Sequence, residues 1–207
     1  MKELKCDILI VGAGLTGLMT AYTLASLKKN IILIDKFNFD KEKQKKIDIR
    51  TTAISEGSKD FFDKIKIWEH LSKFAEPIKK IHVVDRSDDR KIIFNNNKSK
   101  KNLGYIIRNS EIKNIILKRL KNTSNVKLMK NFSLEEVHHT DNSVNATFKG
   151  LSISSSLLIA ADGKKSSVSN LFKAKKTVKK YNHSALVLNI LHKKNHMNTA
   201  HEIFFNS

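Results

Sequence analysis

Cysteine, proline and tryptophan each occur once in 207 residues. The single cysteine, Cys6, excludes an internal disulfide, and there is no metal cluster for it to join. It opens an apolar strand, so a buried, inert thiol is expected. Proline is scarce while Lys, Asn and Ile are frequent, a pattern that genomic A/T bias produces without selection for a partner. No apolar stretch is long enough to span a bilayer. The first residues, MKELKCDILIVG, do not read as a signal peptide, because the apolar run is short and leads directly into a glycine motif. The expectation is a cytoplasmic protein, at most peripheral at the inner face of a membrane.

Acids are also in short supply. Lys+Arg number 39 against 20 Asp+Glu, a formal charge of +19. Such a balance suits nucleic acid or an anionic lipid surface. The lysines, however, are scattered, with pairs such as Lys45-Lys46, Lys164-Lys165 and Lys179-Lys180 and no single basic arm. Aromatics make up 7% of the chain, and few are interleaved with the basic residues, so there is no base-stacking platform. Nucleic acid is not expected as a partner.

What is present is concentrated at the start. Cys6 to Asp35 reads strand, glycine turn, helix, strand. Ile8 to Val11 form a short apolar run, as in a parallel strand buried on both faces. Gly12, Gly14 and Gly17 then give G-x-G-x-x-G where strand becomes helix. Gly12 allows the tight turn, Gly14 leaves room for a pyrophosphate against the backbone, and Gly17 lets helix and strand pack closely. Phosphates would sit at the helix N-terminus. The helix is expected to run to about Lys29. Ile31 to Ile34 form the next strand, which ends in Asp35. That acid lies roughly twenty residues beyond the glycines, where a carboxylate can accept both ribose hydroxyls. The motif specifies a dinucleotide without choosing between FAD and NAD.

The remainder alternates short elements. Lys36 to Asp48 is a polar loop. A helix is expected from Ser58 through Phe61, Phe62 and Ile65 towards Trp68, its aromatic positions facing a core. Pro77 breaks the pattern. Strands are expected at Ile81 to Val84 and Lys91 to Phe94, with a turn over Asp85 to Asp89 and a polar loop over Asn95 to Asn102. Ser110 would cap a helix from Glu111 to Leu120. A strand at Val126 to Met129 precedes a small antiparallel meander over Phe132 to His139, Ser143 to Phe148 and Leu151 to Ser154. Asp141-Asn142 and Lys149-Gly150 supply its turns. Leu157 to Ala160 reads as a further buried strand ending in Ala161-Asp162-Gly163. Tyr181 to Phe205 alternates like strands. His138-His139 reads as a surface pair. His192, His196 and His201 lack a carboxylate or cysteine at ligand spacing, so no metal site is expected.

Several stretches together resemble the class A flavoprotein aromatic hydroxylases, and within them the ubiquinone-biosynthesis hydroxylases. The GAGLTG turn with Asp35 is similar to the family's ADP-binding motif. Arg50-Thr51-Thr52-Ala53-Ile54-Ser55, with Ile67-Trp68 and Ala75-Glu76-Pro77-Ile78, is similar to a subfamily segment, as is Leu103 to Ser110. Ala161-Asp162-Gly163 with Ser166 and Val168 is similar to the second FAD/NAD(P)H motif. Tyr181 to Ala185, and His196 to Phe204, resemble the start of the substrate-domain sheet. There are departures. Ser169 stands where the second motif has arginine. Arg108 stands where the subfamily often has an acid. The chain ends at Phe205-Asn206-Ser207, where the family continues for nearly as long again.

The resemblance implies an α/β fold: a Rossmann-like FAD-binding domain, its parallel sheet joined to a small antiparallel meander, plus the beginning of a β-rich substrate domain, truncated to the N-terminal half. The FAD-binding domain would comprise residues 1–75 and 103–172, and the partial substrate domain 76–102 and 173–207. The implied activity is FAD-dependent hydroxylation of a polyprenylated phenol ring in ubiquinone biosynthesis, with NAD(P)H and O2. Gly12, Gly14, Gly17, Asp35, Arg50, Arg108, Asp162 and Gly163 would hold the cofactor, and no catalytic acid or base is assigned. Implied partners are the phenol substrate, the membrane surface or a ubiquinone-biosynthesis complex, and a complementing C-terminal half. The alternatives are an inactive or split-gene remnant of such an enzyme, or a prenyl reductase or halogenase of the same fold. A basic nucleic-acid-binding protein is disfavoured by the Rossmann core.

Overall fold

A computed structural model describes residues 1–39, 48–86, 90–96 and 101–205. The expected loops at Lys36 to Asp48 and Asn95 to Asn102, and the turn at Asp85 to Asp89, lie partly outside these residues. In chain order the first elements are β1 (Lys2–Val11), α1 (Leu15–Ala25), β2 (Ile31–Asp35), β3 (Thr51–Ser55), α2 (Glu56–Lys64) and α3 (Trp68–Leu71). Then come β4 (Glu76–Ile78), β5 (Lys80–Asp85), β6 (Arg90–Asn95), β7 (Gly104–Arg108), α4 (Asn109–Lys121) and β8 (Val126–Lys130). The last are β9 (Leu134–His139), β10 (Val144–Phe148), β11 (Leu151–Ala160), α5 (Ser167–Leu171) and β12 (Thr199–Phe204). Two compact units result, residues 1–47 with 113–184, and 48–112 with 185–207. This division follows packing, and it groups residues 48–75 and 103–112 with the second unit.

In the first unit a six-stranded sheet has the order β8-β2-β1-β11-β10-β9. The four strands β8, β2, β1 and β11 are parallel, whereas β10 and β9 are added antiparallel. The apolar runs of β1 and β2 explain their central place. Leu9, Ile10, Leu33 and Ile34 are completely buried, and each such side chain contributes roughly 1.5–3 kcal/mol. The helix α1 packs on β1 and β2 through Gly17, Leu18 and Ala21. It ends at Ala25, before the expected Lys29, and Lys28 takes a positive φ of 56° in the turn that follows. Leu151 to Ser154 and Leu157 to Ala160 are a single strand. Ser155 and Ser156 lie between the two expected segments, and buried Ser155 keeps its hydroxyl within 3.4 Å of the Val144 carbonyl. This strand pairs with β1 along nearly its whole length and with β10 along its first half.

The second unit holds two three-stranded sheets, β3-β7-β4 and β12-β5-β6. Its core is formed by Ile54, Ile67, Leu71 and Ile107, all nearly inaccessible, with Trp68. Trp68 meets Tyr105 edge to face at 4.8 Å. The helix α2 begins two residues before the expected Ser58, because Ser55 is its cap and accepts the Ser58 N–H at 3.2 Å. No residue of α2 is buried, so its aromatics do not form the core. Pro77 sits in β4, an edge strand, where a missing N–H is tolerated. Ser110 lies inside α4, which starts at Asn109. The Asn109 amide oxygen accepts the Thr52 hydroxyl at 2.6 Å. The expected strands over Tyr181 to Phe205 reduce to β12. Residues 181–198 form no regular strand, and Leu186, Leu188, Ile190 and Leu191 are exposed. Alternation makes a strand only beside a partner ladder. Among the described residues no helix is long and apolar enough to cross a membrane.

Candidate functional site

The parallel strands β1, β2, β8 and β11 end on one edge, at Val11, Asp35, Lys130 and Ala160. Ligands of open α/β sheets bind outside this edge, and the sequence motifs fall there. Gly12 has a φ of +106° and touches the second motif. A Cβ on it would lie 2.4 Å from the Ala161 carbonyl oxygen. The Ala161 N–H in turn donates to the Val11 carbonyl at 2.8 Å. A Cβ on Gly17 would lie 1.8 Å from the Gly12 carbonyl oxygen, so helix and turn are in direct backbone contact. Gly14 differs: its missing Cβ faces nothing within 4 Å.

The Asp35 carboxylate reaches back to the turn. Its Oδ2 accepts the Ala13 N–H at 2.6 Å, and its Oδ1 accepts the Phe37 N–H at 2.8 Å. An ionised carboxylate has about four acceptor positions, so capacity remains for a ribose diol. Asp162 Oδ2 accepts the N–H groups of Ser167 at 2.6 Å and Val168 at 3.3 Å. Its Oδ1 is buried with no hydrogen-bond partner, a costly state unless a ligand or water donates to it. Gly163 follows with a φ of +80° and open space around its missing Cβ.

Asp35 and Asp162 share a pocket with Val11, Gly12, Lys36, Phe37, Phe132, Leu134 and Ser167. Its cavity volume of about 80 Å³ is well below the ~300 Å³ that begins the range for whole ligands. It suits one part of a dinucleotide. The spare acceptors of Asp35 and the orphaned Asp162 oxygen fit a group that donates hydrogen bonds, such as a ribose hydroxyl, and the open space at Gly14, outside this pocket, leaves room for a close approach to the backbone.

Arg50 and Arg108 belong to the second unit. They flank one end of the β3–β7 ladder, where Thr51 pairs with Arg108 and the Asn109 N–H donates to the Arg50 carbonyl at 3.0 Å. The Arg50 guanidinium is held by Asp48 at 2.8 and 2.9 Å, and this carboxylate raises its pKa. Arg108 is exposed. Among the described residues no group of three His, Cys, Asp or Glu side chains could hold a metal ion.

Phe37, Phe132, Leu134 and Ser167 were not singled out from the sequence. One signal was available: Phe132 follows the strand beside β2, and residues just past the ends of neighbouring parallel strands converge.

Fold and site define an α/β dinucleotide-binding protein of the Rossmann type. The chain belongs to the family described as FAD binding domain, which matches residues 5–206. It is 27% identical over 199 residues to the ubiquinone hydroxylase UbiL of Rhodospirillum rubrum, covering 96% of this chain and 46% of that protein. It is 24% identical to the ubiquinone hydroxylase UbiM of Neisseria meningitidis, covering 98% and 45%. The chain thus spans about half the length of these curated relatives. In fold it is similar to PqsL, a probable FAD-dependent monooxygenase from Pseudomonas aeruginosa. The TM-score is 0.72 at 15% identity, over 86% of this chain and 48% of that one.

Proposed function

We propose that this chain is the FAD-holding half of a monooxygenase that hydroxylates a polyprenylated phenol ring in ubiquinone biosynthesis, with NAD(P)H and O2 as co-substrates. The observation that carries the reading is the cradle formed by Gly12, Gly14, Asp35 and Asp162, within a chain whose likeness to ubiquinone hydroxylases runs nearly end to end. When bound, FAD supplies the oxygen chemistry. The chain's own residues bind and orient. Gly12 and Gly17 hold the turn tight, Gly14 admits the pyrophosphate, and Asp35 accepts the ribose hydroxyls. Asp162 accepts a ligand or water donor through its orphaned oxygen, while Gly163 lets the backbone come close. Arg50 and Arg108 supply positive charge. In this reading residues 1–75 and 103–172 form the FAD-binding domain, and 76–102 with 173–207 begin the substrate domain. A complementing C-terminal half would complete the site. Work at the cytoplasmic face of a membrane, within a ubiquinone-biosynthesis complex, would suit a polyprenylated substrate.

The test is an absorption spectrum of the purified chain after incubation with FAD and desalting. Retained, perturbed flavin bands are expected, and Asp35→Ala should lose them. A soluble, folded chain that retains no flavin would overturn the claim that this chain holds FAD by itself. Oxidation of NADH or NADPH that depends on a polyprenylated phenol, measured with a C-terminal half of a relative added, tests the substrate.

A further inference from the structure

One sheet of the second unit carries a histidine pair outside the cradle of Gly12, Gly14, Asp35 and Asp162. β12 is an edge strand, and among the described residues β5 alone joins it to the sheet. In that parallel ladder His201 lies directly opposite His82, so both side chains leave the sheet on one face. Their rings meet edge to face, 5.1 Å apart and at 88°. Lys80 stands two residues before His82 on β5, hence on the same face. Lys91 of β6 pairs with Val84 and takes that face too, diagonal to His82. The carboxylates of the ladder, Glu202 and Asp85, alternate to the other face. The histidine pair thus has cations beside it on β5 and β6. The ends of β12 are held by other groups. At its start the Lys79 N–H donates to the Asn198 carbonyl at 2.8 Å. The Glu76 carboxylate accepts the Asn198 side-chain amide and lies 3.8 Å from His196 Nε2. At its end the Arg86 N–H donates to the Phe204 carbonyl at 3.0 Å.

We propose that His82 and His201 form an acid-operated latch on β12: neutral rings pack together and let the strand pair with β5, whereas protonated rings repel and loosen it. Like charges directly opposite on a sheet are destabilising, and imidazole is the side chain that gains charge just below neutrality. Desolvation, then the charges of Lys91, His201 and Lys80, push the His82 imidazole down from the ordinary 6.5. The paired strands therefore accept that proton less readily than separated ones. Pairing of β12 is strongest above about 6.5 and weakens as pH falls through it. His196 acts in the opposite sense, because a proton on it adds attraction to Glu76. The start of β12 thus stays tethered while the strand beyond it loosens.

Hydrogen–deuterium exchange of the whole chain tests this, read by mass spectrometry at pH 7.5 and pH 5 and corrected for the intrinsic rate. The reference is β1, whose ladders contain no histidine. Relative to it, peptides over Thr199 to Phe204 are expected to lose protection about threefold at pH 5, the size of one like-charge pair across a ladder. His82→Gln and His201→Gln keep a polar side chain that does not titrate, and each should abolish the loss. Neither histidine is fully buried, so both variants should keep the wild-type melting temperature at pH 7.5. Proton NMR of the imidazoles gives a second readout: His201→Gln should move the His82 titration up. Unchanged or greater protection of β12 at pH 5 would overturn the latch, as would an equal loss from β1. A loss that persists in both variants, or a His82 titration that His201→Gln leaves in place, would overturn it as well.

Discussion

Single atoms separate the three glycines of the turn. Gly17→Ala would drive a Cβ to 1.8 Å from a backbone oxygen, and backbone cannot swing aside as a side chain can. A loss of roughly 3 kcal/mol or more is expected in urea unfolding. Gly14→Ala places its methyl in open space, at an extended φ of −71° and ψ of −177°. It should cost well under about 1 kcal/mol in unfolding, the loss of a glycine at the helix N-cap, while reducing flavin retention. Equal effects from the two substitutions would contradict this assignment. Cys6 makes a second prediction. It is 6% exposed, and burial pushes its thiol up from the ordinary 9.0 to about 11. The folded state therefore binds more protons than the unfolded state between these values. Its stabilising contribution is full below pH 9 and falls as pH rises towards 11. Unfolding at pH 8 and 10.5 should show this loss, and Cys6→Ala should remove that part of it. The glycines and both acids were legible because each motif is local in sequence. Phe132 was not, since its link to Asp35 exists only after β8 pairs with β2.

Helix and strand boundaries depend on which group satisfies an end. Ser55 caps α2, so Ser55→Ala should destabilise the second unit by about 1 kcal/mol, and Ser55→Asp should restore it. Circular dichroism melts of both variants check this, and an unchanged Ser55→Ala melt would remove the cap from the account. The serine was visible in the sequence but reads equally well as the end of the preceding strand, which it also is. The parallel pairing of β1 with β2 could be anticipated from strand–helix–strand spacing, whereas that of β2 with β8, far apart in sequence, could not. Nor could the continuity of β11. Its serines are polar by composition, yet Ser155 lies between two paired strands, a fact of topology and not of local preference. The apolar alternation near Tyr181 misled for the complementary reason: a pattern of period two is necessary for a strand, but a neighbour with free N–H and C=O groups is required as well.

Across the whole molecule the charge of +19 acts against compactness through self-repulsion. Raising NaCl from about 0.02 M to about 0.3 M cuts the screening length from roughly 20 Å to below 10 Å. The melting temperature is therefore expected to rise by a few degrees, and a fall would mean that specific ion pairs outweigh net repulsion. Composition made this legible without any structure. It said nothing of the two compact units, which interleave along the chain and depend on contacts far apart in sequence. That interleaving matters for how the polypeptide comes off the ribosome. The Gly12 turn is backed by the carbonyl of Ala161, about 150 positions later, and β1 has β11 as a sheet neighbour. A nascent chain can make β1, α1 and β2 early, yet the nucleotide turn has no back wall until β11 emerges. Until then an apolar strand edge stands open, and long-range closure of this kind is slow. The Gly12 turn is thus finished only once β11 has formed, and holdase chaperones that shield strand edges should matter most in that interval.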